Sequence, residues 1–288
     1  MLERLQTPIA STRLSLVVNV ILFILKLVAG IAGRSQALVA DALNSLLDIV
    51  ANVIVWLGIR VAGRPADQDH PFGHGNADNL AAVFVALILF VTGAYIGLES
   101  IQAIFGNRTV KPAYLATAVA LGTVIVKEIL YRYTIKIGRK HKSSAVIANA
   151  YDHRSDVIVS LGTLTGIILA QAGYPVMDPI AGLWVAFFIF KQGTRIIRDN
   201  IQTLMVASPG IEYEAELKDF IGRQKGVVKV VWLRGKRVGS GFYIDVAIQT
   251  DGNITVYEGH NIASQIQMAV REQYLEVLGV VVHVEPDY

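Results

Sequence analysis

Hydrophobic positions along the chain fall into two regimes. From residue 14 to residue 197 they come as long apolar runs, separated by short polar, Gly- or Pro-containing stretches such as Gly63-Arg64-Pro65, Gly106-Asn107 and Gly173-Tyr174-Pro175. A helix needs about 20 apolar residues to cross the hydrocarbon of a bilayer. The runs Leu14–Gly33, Ala37–Ile59, Asn79–Phe105, Tyr114–Ile135, Ala145–Ala172 and Asp178–Ile197 therefore predict six spans. The first run is too long for a signal peptide and lacks a convincing cleavage site, so it reads as a retained helix.

After Ser208-Pro209-Gly210 the pattern shortens. Ile211–Gln224 has amphipathic helical spacing, and Val227–Arg237 and Gly241–Thr250 read as strands. In the second strand Tyr243, Asp245 and Ala247 alternate with Ile244, Val246 and Ile248. Thr255 and Glu258 have capping-box spacing for a helix running to about Tyr274. Val277–Val284 reads as a last strand. The order αββαβ predicts a small α+β domain of ferredoxin-like type over residues 208–288, behind a six-helix transmembrane domain over residues 1–207.

Composition agrees with a membrane protein. The chain is 53% hydrophobic and 17% charged, against about 25% charged in soluble domains. A net charge of +3 is too small to point to nucleic acid. The absence of cysteine excludes disulfides, thiolate zinc sites and iron–sulfur clusters. Loop charge sets orientation. Arg4, Arg13, Arg60, Arg64, Arg132, Lys136, Arg139, Lys140, Lys142, Lys191, Arg195 and Arg198 fall on one side, and only Arg34, Arg108 and Lys111 on the other. Twelve against three predicts both termini in the cytoplasm, with the α+β domain on the same side.

Acidic residues interrupt two of the spans. Asp41, Asn44, Asp48 and Asn52 form a polar stripe along the second, and Asn149, Asp152, Asp156 and Ser160 one along the fifth. Neither stripe can face lipid, so the two face each other. Asn44, Asp48, Asp152 and Asp156 then offer four side-chain oxygens, three of them from carboxylates, to a divalent cation. The filled set keeps a formal charge of minus one, and the empty set attracts protons, which is a route to metal–proton exchange. Asp41, Asn52, Asn149 and Ser160 also suit plain interhelical hydrogen bonding. His153 is an alternative ligand, although Asp152 has the better spacing to Asp156. Arg154 and Lys127 are expected to snorkel to the interface, and His141 to sit in a loop. Asp67, His70 and His74 in the loop "RPADQDHPFGHG" provide one carboxylate and two imidazoles for a metal, with Asp69 solvated and Pro71 opposing a helix there.

The pairs Asn44-x-x-x-Asp48 and Asp152-x-x-x-Asp156, the six spans, the Arg64–Gly75 loop and the α+β tail together resemble the cation diffusion facilitators. The resemblance covers essentially the whole chain. It implies a homodimeric secondary transporter, not an enzyme, in the cell (inner) membrane, moving divalent metal out of the cytoplasm against protons. It places the transport site at Asn44, Asp48, Asp152 and Asp156, and a second metal site at Asp67, His70 and His74. It also maps a regulatory metal site at the dimer interface to Asp245, His260 and His283, with Glu285 beside it; Val231 and Trp232 stand where some members carry a His. Zinc-type members have a His in at least one helix pair. The oxygen-only set here resembles the manganese-exporting branch and favours Mn²⁺, with Fe²⁺, Zn²⁺ and Co²⁺ as alternatives. Some members join their halves by a Lys–Asp bridge, where Asn76 and Val206 stand in this chain. A non-transporting metal sensor or scaffold would carry the same residues and would bind metal in the tail without flux. An intramembrane aspartyl protease also needs two aspartates, but Asp48 and Asp156 lack its Gly-x-Gly-Asp context.

Overall fold

The computed structural model describes residues 7–106, 109–205, 207–239 and 241–287. Arg4, Arg108 and Val206 lie outside the described residues. Six long helices come first: α1 (Pro8–Ala32), α2 (Gln36–Ala62), α3 (Ala77–Phe105), α4 (Tyr114–Lys140), α5 (Ser144–Gln171) and α6 (Met177–Leu204). They are followed by α7 (Ile211–Gly222), β1 (Lys229–Val238), β2 (Gly241–Asp251), α8 (Val256–Gln273) and β3 (Val277–Asp287). The order αββαβ of the tail is the one the pattern predicts.

Five of the long helices have the length and apolarity to cross a membrane. The exception is α5, whose first half carries Asp152, His153, Arg154 and Asp156. It is as long as the others and buries Ala150, Val159, Leu164, Ile167 and Ala170 among them. The outward faces stay apolar: Ile21, Val28, Val91 and Ile129 are all exposed, as a lipid-facing surface requires.

Local chemistry fixes the helix ends. Thr7 caps α1, accepting from the Ala10 N–H, with a proline at the first helical position. Ser143 caps α5 through the Val146 N–H. Asp178, at the start of α6, binds the start of α2: Ser35 Oγ donates to it at 2.6 Å, and the Gln36 and Ala37 N–H groups donate at 2.6 and 3.4 Å. A carboxylate there satisfies orphan donors and complements the helix dipole.

By packing, the chain divides into two units, Met1–Ile54 with Phe84–Ile196, and Val55–Val83 with Ile197–Tyr288. In the first, one cluster gathers Leu47, Val85, Leu89, Val159, Val185 and Ile189. A second gathers Ala29, Leu38, Ala116, Ala120, Ile167 and Ala181. Small residues let the backbones approach. A Cβ on Gly166 would run into Ala181, so only glycine allows α5 and α6 to pack this closely.

In the second unit the strands form one sheet in the order β1-β2-β3. β1 pairs antiparallel to β2, from Lys229 opposite Gln249 to Val238 opposite Gly241, with a bulge between Val230 and Trp232. β3 joins the other edge of β2 in parallel, which α8 makes possible as the crossover. Ile244, Val246 and Ile248 turn to one face, where Leu217 and Ile221 of α7 and Ile266 and Val270 of α8 cover them. The opposite face carries Tyr243, Asp245 and Ala247, with Trp232, Val281 and His283 beside them. Thr255 and Glu258 form the expected capping box.

Candidate metal transport site

The polar stripes of α2 and α5 meet in one cleft of about 340 Å³. Asn44, Asp48 and Asn52 of α2 line it opposite Asn149, Asp152 and Asp156 of α5; Asn19 of α1 and Gln192 of α6 complete the inner wall. All four sequence-predicted transport residues therefore share a cavity. Asn44 is buried at the inner end, Asp48 and Asp156 are half-buried, and Asp152 is exposed. Asp48 Oδ1 accepts from Gln192 Nε2 at 3.4 Å. Lys191 and Arg195 stand exposed at the rim, where solvent screens their charge.

Two buried lysines, both on helix faces turned inward, reach the stripes. Lys26 of α1 is 1% exposed and lies 3.1 Å from Asp41 Oδ1. It also donates to the Asp41 carbonyl at 3.0 Å and to Ser45 Oγ at 2.7 Å. Ser160 Oγ donates to the other Asp41 oxygen at 3.0 Å. Asp41 is thus consumed by contacts between helices and does not line the cleft.

Lys127 corrects the sequence reading. It does not snorkel: it is 0% exposed, and Nζ donates to Asp156 Oδ2 at 2.6 Å and to Asn19 Oδ1 at 2.8 Å. The physical reason is its face of the helix. Ala116, Ala120, Thr123, Lys127, Leu130, Thr134 and Ile137 recur at three- and four-residue spacing and form the buried side of α4. That periodicity is present in the sequence and is the signal that identifies Lys127. Glu128 points away and accepts from Arg132 at 2.6 Å. Arg154 is exposed, its guanidinium 5.0 Å from the Tyr131 ring. His153 is buried, with Nε2 3.0 Å from Ser15 Oγ and Nδ1 4.0 Å from Asp156 Oδ2.

The loop residues cluster more tightly. Asp67, His70 and His74 bring one ligand atom each within 4.8 Å of one another, the one such group of three among the described residues. His70 Nδ1 is 3.3 Å from Asp67 Oδ1, and His74 Nε2 is 3.5 Å from Asp67 Oδ2. The backbone N–H of His70 donates to Asp67 Oδ1 at 2.7 Å and holds the Asp67 carboxyl below its usual range. The loop also touches the β1–β2 hairpin. Asn76 Oδ1 accepts from the Gly239 N–H at 3.0 Å, and the Phe72 ring meets Tyr243 edge-on at 5.5 Å.

The tail residues do not come together within one chain. Asp245, His283 and Glu285 alternate onto the sheet face away from α7 and α8. Asp245 lies 3.8 Å from Lys236 Nζ, and His283 Nε2 lies 3.7 Å from Glu285 Oε1. His260 sits on α8, exposed, 3.5 Å from Ser264 Oγ. Helix and outer sheet face are on opposite sides of the sheet, which separates His260 from the other three.

Family models settle what the architecture suggests. The cation efflux transmembrane domain matches residues 12–205, and the cation efflux protein cytoplasmic domain matches residues 209–287. The chain is a cation diffusion facilitator. Among curated relatives of this facilitator, the manganese efflux system protein MneP of Bacillus subtilis is 36% identical over 99% of this chain and 98% of its own length. The manganese efflux system protein MneS of the same organism is 30% identical over 90% of this chain and 89% of its own. The magnetosome protein MamB of Magnetospira sp. is 33% identical over 90% and 88%. The facilitator is a multi-pass membrane protein of the metal efflux type, and its family is one of transporters.

Proposed function

We propose that this facilitator exports Mn²⁺ from the cytoplasm by proton antiport, with Asn44, Asp48, Asp152 and Asp156 as the transport site. The observation that carries the reading is the cleft between α2 and α5, where three carboxylates and a carboxamide share one membrane-embedded cavity. An oxygen-rich set favours Mn²⁺ over softer competitors, and two relatives along most of the chain are named manganese efflux proteins. The ion loads from the cytoplasmic side, the helices rock to open the cleft outward, and protons take the place of the departing ion. Residues 1–207 carry transport. Residues 208–288 hold two copies together, with both termini cytoplasmic and the protein in the cell membrane.

Asp156→Ala in proteoliposomes tests the site. Mn²⁺ flux driven by an imposed pH gradient falls to background while the purified variant keeps its size-exclusion profile. Wild-type flux in that variant rejects the assignment. A panel of Mn²⁺, Fe²⁺, Co²⁺ and Zn²⁺ in the same assay decides the ion. Zn²⁺ is the second reading, favoured by the two imidazoles of the Asp67, His70 and His74 cluster.

A further inference from the structure

We infer that Lys127 is a tethered cation of the transport site, which sets the charge of the empty cleft and positions Asp156. The inference rests on the transport-site reading given above. Asp48, Asp152 and Asp156 bring three negative charges to the cleft. The ammonium of Lys127 is fully buried and bonded to the third of them. Taken as one cluster, these four groups carry minus two, which a divalent ion neutralises completely. Without Lys127 the same carboxylates would leave a filled site at minus one, in a setting where an unbalanced charge is costly. Lys191 and Arg195 stand at the exposed rim, where water screens their charge more than that of the fully buried Lys127.

The geometry separates this lysine from its counterpart. Lys26 and Ser160 occupy both oxygens of Asp41, which lies outside the cleft, so that pair serves packing. Lys127 instead holds one oxygen of a carboxylate that lines the cleft, and its other bond goes to Asn19, which also lines it. The attachment to α4 keeps the ammonium in place. An entering ion meets a fixed like charge, which limits how tightly it is held and speeds its release.

A charge cycle in the purified full-length protein tests this, reading Mn²⁺ binding by calorimetry, competition by La³⁺, and flux in proteoliposomes. Lys127→Met raises the cluster to minus three. It tightens Mn²⁺ binding about tenfold, shifts preference further toward La³⁺, and lowers KM and kcat together. Lys127→Arg keeps the charge in a bulkier, forked group, so its Mn²⁺ affinity moves less from wild type than that of Lys127→Met. Asp156→Asn leaves minus one and weakens Mn²⁺ binding about tenfold or more. Adding Lys127→Met to Asp156→Asn restores minus two and recovers at least about threefold of that loss. This last variant has no unpaired buried charge at the pair, so it decides the matter even if Lys127→Met alone does not fold. A purely structural lysine predicts the reverse, with its removal weakening binding in both backgrounds; a double variant no better than Asp156→Asn overturns the inference. Wild-type binding and flux in Asp156→Asn would instead overturn the transport site itself.

Discussion

At the scale of single residues, the bundle holds two lysines that hydrocarbon would reject and uses each differently. Removing the partner of a buried charge costs about 3–5 kcal/mol, whereas replacing both members with apolar groups is often neutral. Lys26→Met therefore destabilises the protein by about that amount, and Lys26→Met with Asp41→Leu recovers most of it; urea unfolding in detergent followed by circular dichroism measures both. Asp67 gives a pH signature outside the membrane. Its folded pKa lies below the unfolded value because the His70 N–H favours the carboxylate. The loop stabilisation this provides is present at neutral pH and disappears as the pH falls through that lowered pKa. Asp67→Asn should make amide exchange at His70 faster at pH 7, while at a pH below the carboxylate range the two proteins exchange alike.

Elements carry the next level of specification. The approach of α5 to α6 depends on Gly166, whose missing side chain leaves room for Ala181. Gly166→Val forces the helices apart, displaces the wall that bears Asp156, and costs about 1–3 kcal/mol, seen as a lower melting temperature with reduced Mn²⁺ flux. The stretch from Arg64 to Asn76 docks on the β1–β2 hairpin through Phe72 and Asn76. Lys236 adds to this contact, 5.0 Å from the Phe72 ring and 5.9 Å from that of Tyr243. Phe72→Ala is expected to raise hydrogen exchange in both segments together, because each loses its partner in the other. Asn76, which stands where some family members carry the Lys of a Lys–Asp bridge, binds a backbone N–H here.

For the whole molecule, the feature to explain is the sheet face that α7 and α8 leave uncovered. It exposes Trp232 and Val281 at 37% and 63% beside buried Ala247. Under the proposed dimer a second copy covers this face, and a pair of such sheets would also bring Asp245, His283 and Glu285 of the two copies near each other. Val281→Glu should then shift the detergent-solubilised protein from dimer to monomer by light scattering, without changing the far-ultraviolet spectrum of the tail.

The chain alone determined the elements and most of the chemistry, because both are periodic. Long apolar runs have only helix available to them in lipid, and carboxylates four residues apart share a helix face whatever the fold. The alternation of β2 and the Thr255–Glu258 pair are equally local signals. Tertiary structure decided what each side chain meets. Lys127 was legible as one of an inward-facing row, but only the packing of α4 against α1 and α5 gave it Asp156 and Asn19 as partners. The same packing gave Asp41 to Lys26 and kept it out of the cleft. In the tail, family resemblance grouped His260 with Asp245 and His283, and within one chain the sheet stands between them, because helix and strand faces are assigned only when the core closes.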